Sequence, residues 1–154
     1  MNRKPRALTR ARQAAQDMLA RREHSAQELE AKLRAKGYPE GVTGEVVAAL
    51  TREGLASDAR FTEALLNVRR ARGYGPLRIR HELEQKGVSG EMIDRWLDVS
   101  GADWIEQVRR VREKKYGKQQ PRDFAERARQ MRFLQQRGYT HDQITRALNA
   151  DDLD

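Results

Sequence analysis

A short pattern closing on a glycine occurs three times at almost even spacing: Leu33-Arg34-Ala35-Lys36-Gly37-Tyr38, Leu83-Glu84-Gln85-Lys86-Gly87-Val88 and Leu134-Gln135-Gln136-Arg137-Gly138-Tyr139. The glycines are 50 and 51 residues apart. Self-similarity at that period restricts the chain to a tandem array in which each unit is one supersecondary element. A basic residue precedes each glycine. A cation complements the negative end of a helix dipole, and glycine enters the left-handed conformation that ends a helix without a Cβ clash, so the pattern marks structure rather than catalysis. Downstream, Ile93 and Leu97 match Ile144 and Leu148 without gaps, whereas the first copy needs three extra residues around Pro39-Glu40-Gly41 before Val46 and Leu50 fall into register.

The central copy shows what one unit contains. Phe61, Leu65 and Val68, at i, i+4 and i+7, predict an apolar helical face. Gly73 and Gly75-Pro76 break that helix and restart it, and Ile79 and Leu83 give the next i, i+4 pair before Gly87 ends it. Ser89 is the expected N-cap of a third helix with Glu91 in its first turn. Capping boxes are expected at Ser25–Glu28, Thr140–Gln143 and Asp103–Glu106.

The spacing predicts helices at 8–22, 26–36, 44–53, 58–71, 76–86, 90–98, 104–116, 122–137 and 141–149. The fold class is all-α: three tandem three-helix bundles, at 8–55, 56–98 and 103–150, in an elongated, curved repeat array. Composition agrees, since 38% apolar and 35% charged residues supply too little core for one thick globule. Leu33, Leu83 and Leu134 are expected as buried equivalents. Gln130 stands where the second unit has Ile79, with Met131 expected to fill the gap, and Phe133 is expected to pack rather than to face solvent.

A net charge of +8 favours a polyanionic partner or an acidic protein surface. Arg69, Arg70, Arg72, Arg78 and Arg80 lie in twelve residues without an acid, and from Asp103 to Arg137 there are eleven Lys/Arg against five Asp/Glu. An evenly solvated surface would interleave the signs. The candidate partner-binding or nucleic-acid-binding residues are Arg69, Arg70, Arg72, Arg78, Arg80, Arg109, Arg110, Lys114, Lys115, Arg129 and Arg132. The opposing reading is that acids such as Glu63, Glu82 and Glu113 neutralise them in exposed pairs.

Chemistry finds no foothold. The chain has no cysteine, phosphate-binding glycine loop, His-Glu-x-x-His helix or nucleophile elbow, and His24, His81 and His141 are dispersed and expected to be solvated. Asp58 with Glu63, or Glu82 with Glu84, lacks the i, i+3 or i+4 spacing that converges on one metal. No enzymatic activity, cofactor or metal site is expected. No apolar run approaches a membrane span and the N-terminus lacks a signal peptide's apolar centre, so a cytoplasmic location is expected. The short turn at Glu82–Ile93 resembles that of a DNA-reading helix-turn-helix, but the would-be recognition helix, with Glu91, Asp94 and Asp98 against Arg95, is acidic where phosphates would flank it.

Three stretches carry a family resemblance. They are Met18-Leu-Ala-Arg-Arg-Glu-His-Ser-Ala-Gln-Glu-Leu29; Asp58-Ala-Arg-Phe61 followed by Gly75-Pro-Leu-Arg-Ile-Arg-His-Glu-Leu83 and Lys86-Gly87; and Arg132-Phe-Leu-Gln-Gln-Arg-Gly-Tyr139. In this order they resemble the RecX family, bacterial modulators of the RecA recombinase. The resemblance implies three tandem three-helix bundles without catalytic activity that bind RecA within the groove of the RecA–DNA filament. It further implies inhibition of ATP hydrolysis, strand exchange and co-protease activity, and so a role in recombination, DNA repair and the SOS response. Direct contact with single- or double-stranded DNA is left open, and the rival reading is a sequence-non-specific nucleic-acid-binding protein acting without RecA.

Overall fold

The computed structural model describes residues 3–149. Among them are nine α-helices and no strand: α1 (Arg3–Arg21), α2 (Ala26–Ala35), α3 (Glu40–Arg52), α4 (Asp58–Ala71), α5 (Pro76–Gln85), α6 (Gly90–Trp96), α7 (Asp103–Tyr116), α8 (Phe124–Gln136) and α9 (His141–Asn149). The fold is all-α, with three three-helix domains in tandem. Residue 150, the last of the third repeat as drawn from sequence, lies outside the described residues.

Two helices start four or more residues earlier than their spacing predicts. α1 begins at Arg3 rather than 8, because Pro5 falls in the first turn, where its missing N–H costs nothing. α3 begins at Glu40 rather than 44. Pro39 is extended (φ −69°, ψ 154°) and its carbonyl accepts from Val42 and Thr43, both at 3.0 Å. The three additional residues of the first repeat therefore form an added first turn of α3, not a loop.

The repeated turns are superimposable in their bonding. Gly37, Gly87 and Gly138 have φ of 101°, 79° and 100°. In each copy the residue after the glycine donates back to the repeated leucine: Tyr38 to Leu33 O (3.2 Å), Val88 to Leu83 O (3.1 Å) and Tyr139 to Leu134 O (3.3 Å). This is the six-to-one bond of a Schellman motif. All three leucines are fully buried.

Other caps divide. Thr140 and Gln143 form a complete reciprocal box, with bonds of 3.1 and 2.9 Å. Ser25 Oγ accepts from Glu28 N at 3.1 Å. Asp103–Glu106 forms no box: Ala102 before α7 already has helical angles (φ −67°, ψ −24°) and no side chain caps the helix, while Glu106 pairs with Arg109 at 3.0 Å.

By density of internal contacts the chain forms two compact units, one running up to Ala64 together with Leu83–Trp96, the other Leu65–Glu82 together with Leu97 onward. In the first, Leu29, Leu33, Val42, Val46, Val47 and Leu50 surround Ala11 and Ala15 of α1. In the second, Trp104, Val108, Leu134, Tyr139, Ile144 and Leu148 are buried among α7, α8 and α9. Phe61, Ile79, Leu83, Ile93 and Leu97 are buried as their spacing predicts, but Val68 is not, at 46% exposed. The inner face of α4 takes in Thr62 and Leu66 beside Phe61 instead, residues about 100° and 140° round the helix from Phe61, so the buried stripe is rotated away from the i, i+4, i+7 line.

Gln130 corrects a second expectation. It is itself fully buried, and its Oε1 accepts from Nε of the buried Arg112 at 2.8 Å. Met131 is half-buried and does not take its place; the polar core side chain is satisfied by a partner on the neighbouring helix. Phe133 packs edge-on against Tyr116, with ring centres 5.8 Å apart.

Candidate basic interface

Each unit contains one version of the same docking contact. Ser25 and Gly75 occupy equivalent places ahead of α2 and α5, and each meets the glycine turn that belongs to the following repeat. In the first unit Ser25 Oγ donates to Lys86 O at 2.7 Å, and a Cβ on Gly87 would collide with the Gln27 side chain. In the second, Gly75 N donates to Arg137 O at 2.7 Å and Leu77 N to Gly138 O at 2.9 Å. A Cβ on Gly75 would lie 2.6 Å from Gly138 O, so only glycine admits this backbone approach.

The first contact is electrostatic. Glu28, with a side chain 4% exposed, receives Arg22 at 2.7 Å and Lys86 at 3.1 Å, with Lys32 at 3.9 Å. Burial alone would raise its pKa, but the hydrogen bonds from Arg22 and Lys86 together outweigh it and take the carboxyl down to about 2. A carboxylate depressed in this way stabilises the fold fully above its unfolded pKa, and the contribution is lost as pH falls from about 4.5 to about 2. Allowing for solvent around Arg22 and Lys86, about 1–3 kcal/mol should disappear across that window. Urea titrations of Glu28→Gln should show lower stability at neutral pH and a shallower acid limb; an acid limb as steep as wild type would contradict this assignment. Beside it, His24 is buried rather than solvated, with Nδ1 3.0 Å from Arg22 O and Nε2 3.0 Å from Lys32 Nζ, and burial lowers its pKa. His81 and His141 are exposed as expected.

The second contact builds a groove. Tyr139 Oη donates to Gly73 O (2.8 Å), Gln107 Nε2 to Tyr74 O (3.1 Å) and to Tyr139 Oη (2.7 Å), and Arg137 Nη1 to Arg72 O (3.1 Å). Burial raises the Tyr139 pKa, with Gln107 opposing it, so the phenol stays a donor. These bonds fix the Gly73–Gly75 break against α7 and the α8–α9 turn. An open groove of about 640 Å³ results, lined by Arg70, Ala71, Arg72 and Gly73 from α4 and its end, Gln107, Arg110, Val111, Lys114 and Lys115 from α7, and Phe133 and Arg137 from α8 and its cap. The α7 residues recur at i+3 and i+4, which puts them on one face.

Aromatic rings hold several of these cations. Arg70 lies 4.2 Å from the centre of Trp104, Lys115 3.8 Å from Phe133, and Arg137 5.0 Å from Tyr74 and 5.3 Å from Phe133. Among the described residues no carboxylate is within ion-pair distance of Arg70, Arg72, Arg110, Lys114, Lys115 or Arg137. A ring quadrupole positions a cation without cancelling its charge, so the groove keeps its positive potential.

The remaining candidates are distributed elsewhere. Arg69 is held by Glu82 through two bonds of 2.8 and 2.7 Å, and Arg109 by Glu106. Arg78 covers the Tyr74 ring at 4.1 Å, Arg80 is half-buried, and Arg129 and Arg132 are exposed on α8 outside the groove. Arg137, Tyr74 and Phe133 were absent from the sequence-derived set. The residue before each repeated glycine was read there only as a helix-end cation, and that place in the third repeat is the one signal that singles out Arg137. Among the described residues no three or more His, Asp or Glu side chains come together as a metal site would need, and no helix is long and apolar enough to cross a membrane.

Family models for the first, second and third three-helix domains of RecX match residues 11–50, 57–97 and 102–148. The chain belongs to the RecX family. It is 47% identical to the "Regulatory protein RecX" of Ectopseudomonas mendocina over 92% of its own length and 94% of the relative's. It is 45% identical to that of Halorhodospira halophila over 93% and 89%. The crystal structure of RecX from Lactobacillus salivarius has the same fold, with a TM-score of 0.81 at 21% identity over 97% of this chain and 99% of that one.

Proposed function

We propose that this chain is a non-enzymatic cytoplasmic regulator that binds RecA and RecA–DNA filaments and inhibits their ATPase, strand-exchange and co-protease activities, with the repeats at 8–55, 56–98 and 103–150 as its three modules. The observation that carries this reading, beside membership of the RecX family, is a groove of six cations, three of them (Arg70, Lys115 and Arg137) set against aromatic rings, with no carboxylate within ion-pair distance among the described residues. Folding gains nothing from gathering like charges, so their use is intermolecular. Of the sequence-derived candidates, Arg70, Arg72, Arg110, Lys114 and Lys115 are assigned to this surface, with Arg137 added. Tandem modules touching several filament subunits raise avidity without a single deep pocket.

The same groove also favours a second reading, a sequence-indifferent nucleic-acid-binding protein that acts without RecA, since an un-neutralised basic surface attracts any phosphate chain. Co-sedimentation with RecA–single-strand complexes and measurement of their ATP hydrolysis separate the two. Retention on the filament with slowed hydrolysis is expected. Absence of both, with retention of naked DNA, would replace the first reading by the second.

A further inference from the structure

Phe124, the first residue of α8, is 85% exposed. A single exposed apolar side chain is ordinary, but this one is displayed by a segment held rigidly from behind. Buried Arg112 donates to Gln119 O at 2.5 Å as well as to Gln130, fixing the 117–121 stretch to the α7–α8 core. Asp123 Oδ1 caps α8 by accepting from Glu126 N at 2.8 Å, and the Glu126 carboxylate accepts from Arg122 N and Nε at 3.1 and 3.2 Å. The ring thus gains neither burial nor freedom from its position.

Its surroundings are basic. The Arg122 side chain is 87% exposed, and Arg129 and Arg132 are exposed on the same helix. At 3.6 residues per turn, Phe124, Arg132 and Arg129 fall within one solvent-facing arc of about 140°. The groove's Phe133 and the neighbouring Tyr74 are different: their rings are covered by guanidinium and ammonium groups and offer charge rather than a stacking face. An uncovered aromatic platform beside cations that track a backbone is the chemistry of single-stranded nucleic acid recognition.

We propose that the outer face of α8 is a second binding surface, taking single-stranded DNA with a base stacked on Phe124 and phosphates on Arg129 and Arg132. The surface is separate from the groove, and its test needs no RecA. Full-length protein is titrated with a fluorescent oligothymidylate and with an abasic oligonucleotide of equal length and charge, with helical content monitored by circular dichroism. Phe124→Ala should weaken oligothymidylate binding about 5- to 100-fold, the range of one lost base stack, while abasic binding stays within about twofold. Phe124→Trp should restore binding and have its fluorescence quenched by the bases. Equal losses on both oligonucleotides, or no loss on either with the fold intact, would overturn the proposal; the latter is what a ring serving a pocket on a protein partner would give.

Discussion

Replacing Arg70, Arg72, Arg110 and Lys114 together with glutamine should leave the protein folded and take away most of its salt-sensitive binding to single-stranded DNA or to RecA–DNA filaments. Glutamine keeps much of the aliphatic stem while removing the charge. None of the four has an ion pair to lose among the described residues, so the folded state gives up little and is relieved of mutual repulsion. If each cation contacts one phosphate of a single strand, the slope of log affinity against log salt should flatten by about 0.7 per contact, close to 3 for four. Unchanged affinity with an unchanged slope would reduce the groove to a solvated surface. Glutamine at Arg69 and Arg109, which are already held by Glu82 and Glu106, should change the slope per charge removed far less and serves as the control for paired cations.

Leu83→Ala should be the most damaging single core change. The side chain is fully buried and its carbonyl accepts from Lys86 and Val88 to close the Gly87 turn. Truncating a buried leucine costs about 2–5 kcal/mol. A module of about 40 residues has roughly 2–6 kcal/mol in hand at typical stability per residue, so the loss is comparable to everything the repeat possesses. Thermal unfolding should shift down by roughly 4 to 20 °C or lose cooperativity, whereas Leu83→Met, nearly volume-conserving, should cost less than about 1.5 kcal/mol. A midpoint within a degree or two of wild type for the alanine variant would mean that the repeat register is misplaced.

The three glycine turns and the Thr140–Gln143 cap were legible because their causes are local, whereas the starts of α1 and α3 and the missing Asp103–Glu106 box were not. A leucine, a cation and a glycine within six residues write a Schellman turn three times, and the Thr140–Gln143 cap needs only four residues. The failures within the core and the groove were tertiary. Gln130 reads as a broken pattern until Arg112, eighteen residues earlier, is seen to satisfy it. His24 reads as solvated until Arg22 and Lys32 close over it. Five of the eleven candidate cations line the groove. Their selection depends on Gln107, Tyr139 and Arg137 clamping the Gly73–Gly75 break, bonds that span 33 to 66 residues. Charge density along a sequence locates basic segments but does not tell a paired arginine such as Arg69 from an unpaired one such as Arg72.

The two docking contacts also fix the order in which the repeats are strung. Position for position, Glu28 ahead of the first contact corresponds to Arg78 at the second, and Lys86 corresponds to Arg137. The first joint is closed by opposite charges, Glu28 with Lys86, and the second by two guanidinium groups sharing the Tyr74 ring over bare glycine backbone. Exchange them, and Lys86 would meet Arg78 with no acid between, while the Ser25 Cβ would intrude where Gly75 leaves room for Gly138. The modules are alike enough to have arisen by copying, yet each joint is keyed like an asymmetric plug. A shuffled or duplicated middle repeat would therefore find no matching socket, and the array length is set by side chains at its seams.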